Sequence, residues 1–188
     1  MSETSGSYNP GALPGHCQDL SPMTMPRPLF RGFTTQAEID AQYNASAAVA
    51  DAAAEARHYV ERSALARSSL PCTLDVPFGP TLAETLDIFP AERPDAPVFV
   101  FIHGGYWQAL DGSSSSHCAR GLNGHGISVA VPSYDLCPNV SVGDIIGEMR
   151  AACRELAKLG RQLVVSGHSA GGHLAACMLA RSEERRVG

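Results

Sequence analysis

Apolar positions recur along this chain with different spacings, and each spacing predicts a different element. Val98-Phe99-Val100-Phe101-Ile102 is an unbroken apolar run, which predicts a strand buried on both faces of a parallel sheet. Ser128–Val131 and Leu163-Val164-Val165 are shorter runs of the same kind. Thr73–Val76 and Glu84–Phe89 read as short strands joined through the Pro77–Pro80 turn region, forming an antiparallel edge. Ile145, Ile146, Met149, Ala152, Cys153 and Leu156 fall at spacings of three and four, so Asp144–Leu159 reads as an amphipathic helix. Ser113–Gly124 and Gly172–Ala180 also read as helices. Thr35 with Glu38 three positions on forms a capping-box signature, and the Ala-rich stretch from there to about Ala66 reads as one helix. Alanine gives that helix strong propensity but a shallow apolar face, so it is expected to drape over the domain.

Strand alternating with helix predicts right-handed crossovers and a mostly parallel sheet with flanking helices, the α/β class. In such sheets functional groups gather beyond the carboxyl ends of the strands. Residues 1–34 carry Pro10, Pro14, Pro22, Pro26 and Pro28 among scattered Gly and Ser, and read as an irregular or disordered arm. The remaining length suits one domain with a sizeable core.

Composition narrows the function. The net charge of −5 gives no electrostatic footprint for nucleic acid or an anionic membrane. Met1–Pro10 lacks the basic flank and apolar run of a secretory signal, and no stretch is long and apolar enough to span a bilayer. The expected location is cytoplasmic. The six cysteines show no C-x-x-C spacing, and Cys153 and Cys177 fall in helical segments where buried free thiols are usual.

Two segments carry candidate chemistry. Gly167-His168-Ser169-Ala170-Gly171 lies between the last strand and the last helix, the context of a nucleophile elbow with Ser169 at its apex. His103-Gly104-Gly105-Tyr106-Trp107 follows the strand Val98–Ile102, where glycines let backbone N–H groups approach a ligand closely. Either segment alone is compatible with a structural turn. Together, in this order, they predict an oxyanion hole from the amides of Gly104, Gly105, Tyr106 and Ala170, facing Ser169.

These segments, with Ser133-Tyr134-Asp135-Leu136-Cys137-Pro138 and the extension to His173, resemble α/β hydrolases of the arylformamidase (kynurenine formamidase) and hormone-sensitive-lipase-like esterase group. The resemblance covers roughly residues 35–180. It implies an incomplete α/β-hydrolase fold, with 35–180 as the N-terminal part of the domain and the chain as a C-terminally truncated member. It also implies a serine hydrolase that cleaves an arylformamide or a small carboxylic ester through an acyl-enzyme, without metal or organic cofactor. The partner is then a small acyl or formamide substrate; nothing indicates a homo-oligomer. Trp107 and Tyr134 are candidate pocket walls, although packing suits Tyr134 better and anchoring the glycine loop suits Trp107 at least as well.

The family's order is serine, acid, histidine. The last histidine here is His173, four positions after Ser169 in the elbow helix, and it cannot swing back as a base on a separate loop does. His168 is expected to project away from the serine, and His103 to brace the glycine loop. Asp135 precedes the serine and reads as structural. The triad is incomplete, so an inactive fragment or a binding module lacking the acid and histidine is the alternative. Residues 181–188 break the apolar pattern abruptly with charge and back-translate to a sequencing-adapter read, so they are read as a non-native tail.

Overall fold

The computed structural model describes residues 27–179, and the reading of 181–188 lies outside them, as does most of the expected arm. The chain divides into two compact units between Val49 and Ala50. In the first, α1 (Gln36–Tyr43) and a 3-10 turn (Ala45–Ala48) follow a bridge between Phe30 and Phe33. The capping box forms as expected: the Glu38 amide donates to the Thr35 hydroxyl, and the Thr35 amide donates to the Glu38 carboxylate.

The single helix expected from Thr35 to Ala66 does not form. After α1 the chain starts afresh twice, with Asn44 accepting from the Ala47 amide and Asp51 from the Ala54 amide. Side chains of this kind offer nearby amides a partner outside the helix, and that competition outweighs the alanine propensity. The second unit therefore opens with α2 (Ala52–Ser69), which buries only Ser63 and Ala66.

Its sheet has the order β1-β2-β4-β3-β5, from β1 (Thr73–Pro77), β2 (Thr85–Phe89), β3 (Val98–Ile102), β4 (Ser128–Pro132) and β5 (Leu163–Gly167). The β1–β2 and β2–β4 pairs are antiparallel; β4, β3 and β5 run parallel. This is the mostly parallel α/β arrangement with an antiparallel edge. The strand with every residue buried is β4. In β3, Val98, Val100 and Ile102 are buried while Phe99 and Phe101 are half-buried, so its second face is less covered than its apolar run predicts.

Period-two alternation sends the two faces into separate cores. Val98, Val100, Ile102 and Ala130 pack with Ile145, Met149, Ala152 and Leu156 of α4 (Val142–Ala157) and Leu174 of α5 (Ala170–Leu179). Val129, Val131 and Phe89 pack on the other side with Ala119 of α3 (Cys118–Asn123). The helix predicted over 113–124 is a 3-10 turn (Gly112–Ser115) followed by the short α3, because the serine run bonds locally. Ser113 donates to the Asp111 carboxylate and Ser114 to the Asp111 carbonyl. The α4 helix starts two residues earlier than expected, capped by Ser141 with Asp144 completing the box.

The Arg67 guanidinium of α2 donates to Asp87 on β2, whose carboxylate also accepts the Asp75 amide. Burial outweighs both partners and pushes the Asp87 carboxyl above the usual carboxylate range.

Candidate active site

The turn from β5 into α5 carries Ser169 in the left-handed region, φ +54°. A non-glycine residue held there is disfavoured, and persists only when its surroundings fix it. They do so here by close backbone approach. A Cβ on Gly167 would collide with the Gly171 carbonyl, and a Cβ on Gly171 with the carbonyls of Ile102 and His103. The Gly171 amide donates to the His168 carbonyl at 2.9 Å, and the His173 amide to the Ser169 carbonyl at 3.2 Å. The helix therefore begins at Ala170, two residues before its predicted start. Ser169 is exposed and Ala170 buried.

Because β3 is the parallel neighbour of β5, its carboxyl end arrives beside this turn. Gly104 comes so near that a Cβ added to it would lie 3.3 Å from Ser169 Cβ and 2.9 Å from the His168 carbonyl oxygen. Gly105, Tyr106 and Trp107 then run consecutively through positive φ, at +104°, +57° and +59°. The Gly105 carbonyl closes this turn by accepting the amides of Gln108 and Ala109, both at 3.0 Å. The glycines announce such a turn in the sequence; nothing there announces left-handed aromatic residues. Among the described residues, the amides of Gly104, Gly105, Tyr106 and Ala170 donate to no protein acceptor.

The loop rests on two buried aromatic rings. His103 and Tyr134 stack at 4.1 Å, nearly coplanar. The Tyr134 hydroxyl donates to the carbonyls of His103 and Gly104, at 2.9 and 3.3 Å. Tyr134 is only 2% exposed. It thus supports the loop from beneath and is also among the residues lining a cavity of about 470 Å³. Burial raises its phenol pKa. The same burial lowers the pKa of His103, which keeps the ring neutral, and its Nδ1 lies 2.7 Å from the Gly104 carbonyl. Since a carbonyl only accepts, the ring proton sits on Nδ1, leaving Nε2 a buried acceptor with no partner among the described residues.

Trp107 is half-buried against the core, its ring edge-on to both Tyr106 and His173 at centroid distances of 5.6 and 5.3 Å. Its indole N–H is buried without an acceptor among the described residues. His168 is exposed, with Nδ1 3.4 Å from the position of a Gly104 Cβ, so it lies beside the glycine loop. The His173 Nε2 pairs with the Cys177 thiol at 3.6 Å. No histidine side chain among the described residues hydrogen-bonds to the Ser169 hydroxyl.

Sequence reasoning missed the cavities at the far end of the glycine loop. One of about 560 Å³ lies between α2 and the loop, lined in part by Val60, Arg67, Leu110 and Asp111; the 470 Å³ cavity shares Arg67, Leu110 and Asp111 with it. Neither is lined by Ser169, which stands on open surface. Asp135 lines the second cavity, and its amide donates to Glu148 of α4. No group of three or more metal-ligating side chains occurs among the described residues.

Comparison with known proteins bears on the fold. A family model for the α/β-hydrolase fold matches residues 99–187. Kynurenine formamidase of Drosophila melanogaster is 38% identical over 106 residues, covering 52% of this chain and 35% of that protein. The Danio rerio kynurenine formamidase is 34% identical over 122 residues, 61% of this chain and 41% of that protein. The chain thus spans well under half the length of these curated relatives. A candidate thioesterase from Silicibacter sp. superposes with a TM-score of 0.69 at 38% identity, over 76% of this chain and 55% of that one. Esterase B from Lactobacillus rhamnosis, at 22% identity and TM-score 0.56 over 80% of this chain and 52% of that one, shares the fold. With its mixed sheet and these relatives, the chain has an α/β-hydrolase-like fold and is similar to kynurenine formamidases and esterases.

Proposed function

We propose that this sequence encodes the nucleophile-bearing part of a serine hydrolase that cleaves an arylformamide or a small carboxylic ester. The observation that carries this reading is the approach of Gly104 to Ser169, two loops from separate crossovers meeting at the sheet's rim. Ser169 Oγ attacks the carbonyl carbon and loses its proton to a general base. The oxyanion takes hydrogen bonds from Ala170 and the Gly104–Tyr106 amides, which have no other acceptor among the described residues. The C–N or C–O bond then breaks, the departing amine or alcohol takes the proton, and water hydrolyses the acyl-serine. One oxyanion donor is typically worth about 2.7–4 kcal/mol in the transition state.

This mechanism assigns the base and its orienting acid to sequence outside the described residues. An unactivated serine stays a neutral alcohol at neutral pH, so the oxyanion donors alone do not support normal turnover. A second reading, a binding module that keeps the site without catalysis, is favoured by the lack, among the described residues, of any histidine ring bonded to the Ser169 hydroxyl. A cytoplasmic location is proposed with the first reading; no helix among the described residues is long and apolar enough to cross a membrane.

Side-by-side assays with N-formylkynurenine and p-nitrophenyl acetate test the proposal. Ester turnover without formamide turnover rejects the formamidase assignment. Full rate in a Ser169→Ala variant rejects the mechanism, and specific binding without turnover supports the binding module.

A further inference from the structure

Tyr106 is 73% exposed although it stands four residues after the buried Ile102 at the end of β3. Its exposure is not that of a loose loop tip. The Gly105 carbonyl accepts two amides across the turn, and the Trp107 carbonyl accepts the Cys137 amide at 2.8 Å, so the backbone on either side of Tyr106 is pinned. The residue is held at φ +57°, a conformation that bulky side chains rarely adopt. One edge of the exposed ring is fixed against Trp107, and Trp107 packs against His173, one turn into the helix that Ser169 opens. A run of ring contacts therefore leads from open solvent to the first turn of the helix that follows Ser169.

An exposed ring on a pinned backbone, edge-on to a neighbouring ring, is an arrangement that recognises another flat ring by stacking. We propose that the Tyr106 side chain is a specificity-determining platform for a planar aromatic group on the carbonyl substrate, separate from any role of its amide. This rests on the reading of Ser169 and the glycine loop as a carbonyl-binding site. It predicts that aromatic substrates are preferred over saturated ones of the same size and polarity.

Trp107 is the only tryptophan of the chain, so its emission reports ligands at this spot without requiring turnover. The experiment titrates the 188-residue chain, carrying Ser169→Ala to remove chemistry, with formanilide and with N-cyclohexylformamide. Formanilide should bind about three- to tenfold more tightly, the size expected of one aromatic pair. Tyr106→Phe should keep that ratio and Tyr106→Ala should bring it close to one, with unchanged circular dichroism showing that the exposed substitution leaves the fold intact. A ratio that survives Tyr106→Ala overturns the platform while leaving the carbonyl site standing, as does equal binding of the two formamides to the parent chain. If neither compound perturbs Trp107 emission at millimolar concentration, the carbonyl-site reading and the platform fall together.

Discussion

Gly104 stands where no other residue fits against Ser169: a single added carbon would sit 3.3 Å from the serine Cβ and 2.9 Å from the backbone oxygen of His168. That closeness joins the ends of β3 and β5 into one feature. It also makes the junction sensitive to the smallest substitution.

Gly104→Ala should destabilise the chain by about 1–3 kcal/mol, because the backbone on the facing side must move to admit a methyl group. Urea denaturation monitored by circular dichroism measures this. An unchanged midpoint would mean that the two loops are not packed as described.

Gly167→Ala and Gly171→Ala should be worse, at about 3 kcal/mol or more, since each new carbon meets fixed backbone. Gly147 provides the contrast. It lies within α4 with nothing inside 4 Å of an added Cβ, so Gly147→Ala should stabilise by about 0.5–1 kcal/mol. Opposite signs at these positions separate steric need from ordinary helix propensity.

Ser169→Gly should raise stability by about 1 kcal/mol, because glycine adopts φ +54° without the clash that serine endures. The same change should abolish any hydrolysis that depends on Oγ. Thermal denaturation together with an ester assay reads both; gain of stability with loss of activity marks strain kept for chemistry.

Tyr134→Phe removes a hydroxyl that donates to the His103 and Gly104 carbonyls, leaving the buried His103 carbonyl short of a partner while the Gly104 carbonyl keeps His103 Nδ1. A loss of about 1–3 kcal/mol is expected, with the ring stack on His103 preserved. Equilibrium unfolding of the variant against the parent measures it.

Stability should fall as pH drops below about 6.5. Burial lowers the pKa of His103 and of His117, so in this range the unfolded chain binds protons that the folded chain does not. Their contribution is therefore complete above the unfolded value and is lost as pH falls toward the folded one. Urea midpoints at a series of pH values should show the decline, and His103→Gln should flatten it. An unaltered slope in that variant would assign the effect to other groups.

The order of elements was legible in the residues because it depends on local periodicity. The apolar runs of β3, β4 and β5, the three-and-four spacing of α4 and the Thr35–Glu38 box are each local features of a short stretch of chain. The elbow was legible for a related reason: a glycine two residues either side of a serine, after an apolar strand, marks a backbone that tolerates no side chain there. Helix breaks at Asn44 and Asp51 were local too, but the alanine run hid them.

What the residues alone left undecided are the meetings between distant segments. The strand order β4-β3-β5 brings Gly104 to Ser169, and the return of β4 places Tyr134 under His103. Left-handed Tyr106 and Trp107 are held by a tertiary hydrogen bond from Cys137 together with the local turn bonds from Gln108 and Ala109, against their own preference. Sequence pattern fixes which surfaces must be buried. Only the packing of those surfaces on one sheet determines which loop ends share a point in space.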